Sequence, residues 1–191
     1  NFLVYPRRTI ERALVEEFPR LRSASLNLNE MTLFITPEER LPFALYCADA
    51  LNPTNASKCY FLDDEGLIFA VAPAFSGVTY FVYATRIPLE NPTGERLVTV
   101  EEFKALSSFI KNLEILNIRA TALEFGETEY NLLMPNGGKI IWRKGDDLAV
   151  IHSNLEAFLT NKTIKAQNNF LERILYLDLS TKNKIRWNFK E

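Results

Sequence analysis

Apolar residues along this chain recur at two spacings. Between Arg8 and Phe18, Ile10, Ala13, Leu14 and Phe18 follow a helical period, with Pro6 and Thr9 near the start and Pro19 closing it. Ser23 to Asn29 then alternates through Ala24, Leu26 and Leu28. Asn29-Glu30 predicts a turn, and Met31 to Thr36 and Pro42 to Cys47 predict two more strands. A helix followed by three strands is a small α+β module, one that would gain from a further strand ahead of Asn1.

Strand patterns dominate the next stretch. Cys59 to Phe69 predicts a hairpin turning at Asp64-Glu65-Gly66, and Thr79 to Ala84 is rich in β-forming residues. Thr99 to Leu116 is the strongest helix, with Thr99 as N-cap, Glu101 and Glu102 in the first turn, and a stripe of Phe103, Leu106, Phe109, Ile110 and Leu113. Strands are expected at Arg119–Phe125, Tyr130–Met134 and Lys139–Arg143, the last two joined through Pro135-Asn136-Gly137-Gly138. Helices follow at Asp147–Leu159 and, more weakly, Thr163–Glu172.

The chain closes on a second hairpin. Leu175, Leu177 and Leu179 alternate with Tyr176, Asp178 and Ser180; after a Thr-Lys-Asn turn, Ile185, Trp187 and Phe189 alternate with Arg186, Asn188 and Lys190. One face is expected in a core and the other free. A sheet that ends on such a strand leaves an edge able to recruit a partner strand.

Composition narrows the setting. With 47% hydrophobic and 24% charged residues among 191, the chain is a folded one or two domains rather than a disordered segment. A net charge of −2 with no basic block gives nucleic-acid binding little electrostatic support. No apolar run is long enough to span a bilayer. The abrupt start at Asn1-Phe2-Leu3 without Met suggests an ectodomain cut from a membrane anchor upstream of residue 1. Eleven residues of loop composition separate the two cysteines, Cys47 and Cys59. A disulfide in an oxidising compartment is the expectation, with two separate, partly buried thiols as the alternative.

Motifs for catalysis are lacking. His152, the single histidine, has no carboxylate or cysteine at a telling spacing, and no phosphate loop, nucleophile elbow or zinc signature occurs. Asp63-Asp64-Glu65 is an acidic cluster whose ordinary explanation is a turn, and Glu38-Glu39-Arg40 that of a charged strand end. No enzyme, cofactor or metal is therefore expected.

Several of these pieces, taken in order, resemble the extracytoplasmic part of the bacterial cell-division family FtsQ/DivIB. Leu14 to Leu26 looks like the helix of a POTRA domain running into its strand. Leu33-Phe-Ile-Thr-Pro-Glu-Glu-Arg-Leu-Pro-Phe-Ala resembles a family segment carrying Glu39, Arg40 and Pro42. Tyr60-Phe-Leu-Asp-Asp-Glu-Gly-Leu-Ile-Phe resembles the opening of the family's β domain. Leu132-Leu-Met-Pro-Asn-Gly-Gly-Lys-Ile is similar to a later hairpin, and Leu175-Tyr-Leu-Asp-Leu-Ser followed by Asn183-Lys-Ile to the ending. Ser180 and Thr181 depart from the Arg and aromatic usual there.

The resemblance implies an α+β protein. Residues 1–47 would be a POTRA domain whose first strand is truncated, 48–58 a connecting loop, and 59–191 a β domain with a mainly antiparallel sheet and packed helices. A disulfide between Cys47 and Cys59 would then staple the two domains where they join. The resemblance further implies a non-catalytic divisome scaffold, in a single-pass membrane protein at the septum, helping to regulate septal peptidoglycan synthesis. Its partners would be FtsB (DivIC) and FtsL, bound through Tyr176, Asp178, Ser180, Thr181, Ile185, Arg186, Trp187 and Phe189. The alternatives are a POTRA-bearing secretion or outer-membrane assembly factor and a cell-wall hydrolase using Asp63 and Glu124.

Overall fold

Among the described residues, nine of the eleven strands join one sheet in the computed structural model, which covers residues 6–48, 58–75, 79–182 and 184–190. The other two form a hairpin beside the first helix. That helix, α1 (Arg7–Glu17), starts after Pro6 and stops at Phe18-Pro19, as proline geometry at both ends requires. Strands β1 (Leu21–Asn29) and β2 (Thr32–Glu39) pair antiparallel, with Leu26 opposite Ile35 and Leu28 opposite Leu33. Glu11 ties helix to hairpin: its Oε1 accepts from the backbone N–H of Leu26 at 2.8 Å and from Arg7 Nε at 2.7 Å.

The third strand expected in this first module belongs elsewhere. Strand β3 (Ala44–Cys47) pairs antiparallel with β4 (Cys59–Leu62) and parallel with β6 (Val82–Thr85), inside the large sheet. All four of its residues are buried, which a two-layer module this small would not achieve. By strand pairing, the small unit therefore ends with β2 at Glu39, eight residues before position 47.

The remaining strands are β5 (Ile68–Val71), β7 (Ala122–Phe125), β8 (Glu129–Leu133), β9 (Lys139–Arg143), β10 (Ile174–Thr181) and β11 (Lys184–Phe189), and the order across the sheet is β11-β10-β9-β8-β7-β6-β3-β4-β5. Three neighbour pairs are parallel, β3–β6, β6–β7 and β9–β10; the other five are antiparallel. The fold is α+β with a mainly antiparallel sheet. Parallel neighbours demand crossovers, and helices fill two of them. Helix α2 (Val100–Asn112) connects β6 to β7; α3 (Leu148–Thr160), α4 (Lys162–Lys165) and α5 (Phe170–Arg173) connect β9 to β10. Thr99 caps α2 by accepting from Glu102 N–H, and Asp147 caps α3 from Ala149 N–H. The stretch expected as one weak helix at 163–172 breaks at Asn169, which is left-handed at φ 54°.

Register divides the sheet into two faces. A row of directly opposed residues, Tyr46–Tyr83–Leu123–Leu132–Ile140–Leu177–Trp187, lies on the helix-covered face and is fully buried until it reaches Trp187. The next row, Cys59–Cys47–Ala84–Glu124–Asn131–Ile141–Asp178–Arg186, lies on the opposite face and turns polar toward β11. Period-2 alternation produces both rows from one pattern.

Two glycines are required where chain meets chain. Gly66 (φ +75°) closes the Asp63 turn, and a Cβ there would stand 2.7 Å from the Phe103 ring of α2. A Cβ on Gly138 would stand 2.5 Å from the carbonyl oxygen of Ile174, so the β8–β9 turn seats the entry of β10 only because it is bare. Asn136 fixes the same seat, donating to the Leu171 and Glu172 carbonyls at 2.9 and 2.7 Å.

Candidate functional site

The terminal hairpin lies at one end of the sheet, and β11 is its outermost strand. Ile185, Trp187 and Phe189 face the helices, as their alternation predicts, and pack on the core as half-buried residues. Trp187 stacks edge-on against Phe170 (5.5 Å) and Phe189 (5.0 Å), and Phe170 meets Phe189 at 5.6 Å. The Arg173 guanidinium lies 4.4 Å from the Phe189 ring centre. The aromatic side chains of the hairpin thus hold it to α5.

Tyr176, Asp178 and Arg186 project from the helix-free face, with Asp178 directly opposite Arg186. Leu175 does not share the buried side with Leu177 and Leu179: the register shifts between Ile174 and Tyr176, and Leu175 turns out to 43% exposure. This is a β-bulge, which strict alternation does not foresee. Ser180, Thr181 and Ile185 line a groove of about 540 Å³ between the hairpin and α3, opposite Val150, Ile151 and Phe158. The eight residues therefore divide among two faces and a groove around one strand end.

What they share is an edge. The backbone N–H of Lys190 points inward to the Arg173 carbonyl at 3.0 Å. Strand alternation then turns the peptide groups of Ile185, Trp187 and Phe189 to the open side. Asn188 covers one of them, its Oδ1 accepting from Phe189 N–H at 3.0 Å. Ile185 and Trp187 are left to offer backbone groups to another strand. The far edge is different: β5 is covered where Ile68 donates to Glu95 O (3.0 Å) and accepts from Gly94 N–H (2.7 Å).

The carboxylates considered for chemistry are occupied. Asp63 is fully buried; its Oδ2 accepts from Arg40 and its Oδ1 from the N–H groups of Glu65 and Leu67, 2.9 and 2.8 Å away. Arg40 also donates to the Pro19 carbonyl at 3.0 Å, and Arg22 pairs with Asp64 at 2.9 Å, so this turn is bolted to the small unit. Glu38 and Glu39 bond Ser23 and Arg20. Glu124 pairs with Arg86 at 3.8 Å and accepts from Asn131 at 3.5 Å. His152 is half-buried on α3. No group of three or more His, Cys, Asp or Glu among the described residues is arranged for a metal, and no described helix is long and apolar enough to cross a membrane.

Cys47 and Cys59 are bonded, with Cα atoms 4.4 Å apart in directly opposed positions of β3 and β4. Both ends lie in the large sheet, so the bond staples two of its strands and not the two units to each other. Residues 49–57 between them lie outside the described residues. No known family model matches the chain, and no curated protein matches it.

Proposed function

We propose that this protein is a non-catalytic scaffold of the FtsQ/DivIB type, which binds FtsB (DivIC) and FtsL by accepting a partner strand on β11. The observation that carries the reading is the asymmetry of the sheet's two ends: β5 is covered at Ile68 by Gly94 and Glu95, whereas β11 presents the peptide groups of Ile185 and Trp187. Backbone groups on such an edge supply affinity and side chains supply choice of partner.

A second observation supports the family. Arg40 belongs to one segment of the resemblance and Asp63 to another, and the two side chains bond each other. Segments chosen for likeness alone have no reason to meet in this way. On this reading the small α1–β1–β2 unit is the counterpart of the family's POTRA domain, and the anchor, septal location and role in peptidoglycan synthesis are proposed from the same likeness.

The test is a binding titration of the chain against purified FtsB/FtsL ectodomains, with Ile185→Pro as the edge-blocking variant. Proline removes an N–H that faces the open side and leaves the ladder to β10 intact. The expected result is binding by the wild type and loss of about tenfold or more in the variant, with an unchanged circular dichroism spectrum. Undiminished binding by Ile185→Pro sinks the proposed edge.

A further inference from the structure

We propose that β11 selects its partner by charge, accepting a strand that alternates apolar with acidic residues and rejecting a second copy of this chain. The inference rests on the edge reading above. From Ser180 to Lys190 the sequence carries Lys182, Lys184, Arg186 and Lys190 and no carboxylate, in a chain whose net charge is −2. Lys184, Arg186 and Lys190 alternate with Ile185, Trp187 and Phe189, so the strand is cationic along one face and apolar along the other.

One of these cations is engaged within the chain. Lys190 Nζ donates to the Asn136 carbonyl. Among the described residues Lys184 and Arg186 have no ion-pair partner; Asp178, opposite Arg186, accepts instead from the Ser180 N–H at 2.8 Å. A strand added alongside sets its side chains directly against those of β11. On the helix side it meets the aromatic and aliphatic row; on the other it meets Lys184 and Arg186, where a carboxylate is attracted and an ammonium repelled.

The same geometry excludes self-pairing. An antiparallel second β11 that keeps apolar face with apolar face brings Lys184 against Lys190 when centred on Trp187, Lys184 against Arg186 when centred on Ile185, and Arg186 against its own copy when centred on itself. Like charges directly opposed are destabilising. The edge is thereby protected from edge-to-edge association while staying open to an acidic strand.

Three fluorescent strand peptides test this, alternating valine with glutamate, with glutamine or with lysine, titrated by anisotropy against the whole chain. The glutamate peptide is expected to bind about tenfold more tightly than the lysine peptide, with the difference shrinking as salt rises. In K184E/R186E the order reverses and the self-rejection is lost: centred on Trp187, the carboxylate introduced at position 184 then opposes Lys190 of the second copy, so the variant is expected to associate in sedimentation while the wild type stays monomeric. Equal affinity for all three peptides overturns charge selection and leaves strand addition standing. Binding by none of them overturns both, and a wild-type dimer overturns the self-rejection.

Discussion

The Arg40 guanidinium donates to the Asp63 carboxylate at 2.5 Å, with the two side chains 9% and 0% exposed. Two charges removed from water are tolerable only because each also has backbone partners. Removing one alone leaves the other stranded. Arg40→Ala is therefore expected to destabilise by about 3–5 kcal/mol in urea unfolding, and adding Asp63→Asn to that variant to recover part of the loss by neutralising the orphan. A loss of under about 1 kcal/mol in Arg40→Ala would mean that water reaches the carboxylate.

Reduction of the Cys47–Cys59 bond removes a cross-link that encloses a short loop, a sequence separation of 12. Chain entropy puts the expected cost at about 3 kcal/mol. Thermal melts with and without reductant measure it, and hydrogen exchange should report lost protection at β3 and β4, with the terminal hairpin unaffected.

Trp187 supports the hairpin from beneath. Trp187→Ala should cost about 2 kcal/mol of stability, less than for a fully buried tryptophan because the ring is half-exposed. Trp187→Phe should restore most of it by keeping the contact with Phe170. Near-ultraviolet circular dichroism follows the ring packing in both.

Acid should loosen the contact between α1 and the β1–β2 hairpin at Glu11. Hydrogen bonding from Arg7 and then from Leu26 N–H holds the Glu11 carboxyl below its ordinary value of 4.5. The unfolded chain takes up this proton at higher pH than the folded one. The stabilisation is thus complete above about the ordinary carboxylate range and drains away as pH falls through the lowered value. The protection of the Leu26 amide, its exchange rate taken relative to the intrinsic rate at each pH, should fall in acid, and Glu11→Gln should flatten that dependence. At the alkaline end, burial pushes the Tyr83 phenol up to about 12, so its contribution is present below pH 10 and is lost as pH rises from there toward 12.

Local chemistry was legible in the sequence wherever a single element decides it. The Thr99 cap, the α2 stripe and the two faces of β11 all follow from short-range pattern. What the pattern could not carry was partnership between distant segments. Ala44–Cys47 looks the same whether it pairs with β2 or with β6, because nothing in four apolar residues names the neighbour. The role of Arg40 was equally hidden: the sequence offers it as a strand end, and only the return of Asp63 beside it makes an ion pair. Leu175 was misplaced by alternation because a bulge adds a residue without changing the local pattern. At the edge the sequence pointed to the strand itself, while the groove against α3 required knowing where that helix packs.

The terminal hairpin is bound to the sheet by few ladder contacts. Strand β10 matches β9 over three residue pairs, Tyr176–Lys139, Leu177–Ile140 and Asp178–Ile141. In mechanical terms that is a seam, reinforced by the aromatic stack on Phe170 and by Ile174, Leu177 and Leu179 of β10 in the core. A strand gripping β11 transmits any pull through β10 to this seam. The load such an attachment can bear is then set one strand inward from where the partner touches, and a partner that grips harder than the seam would take the hairpin with it.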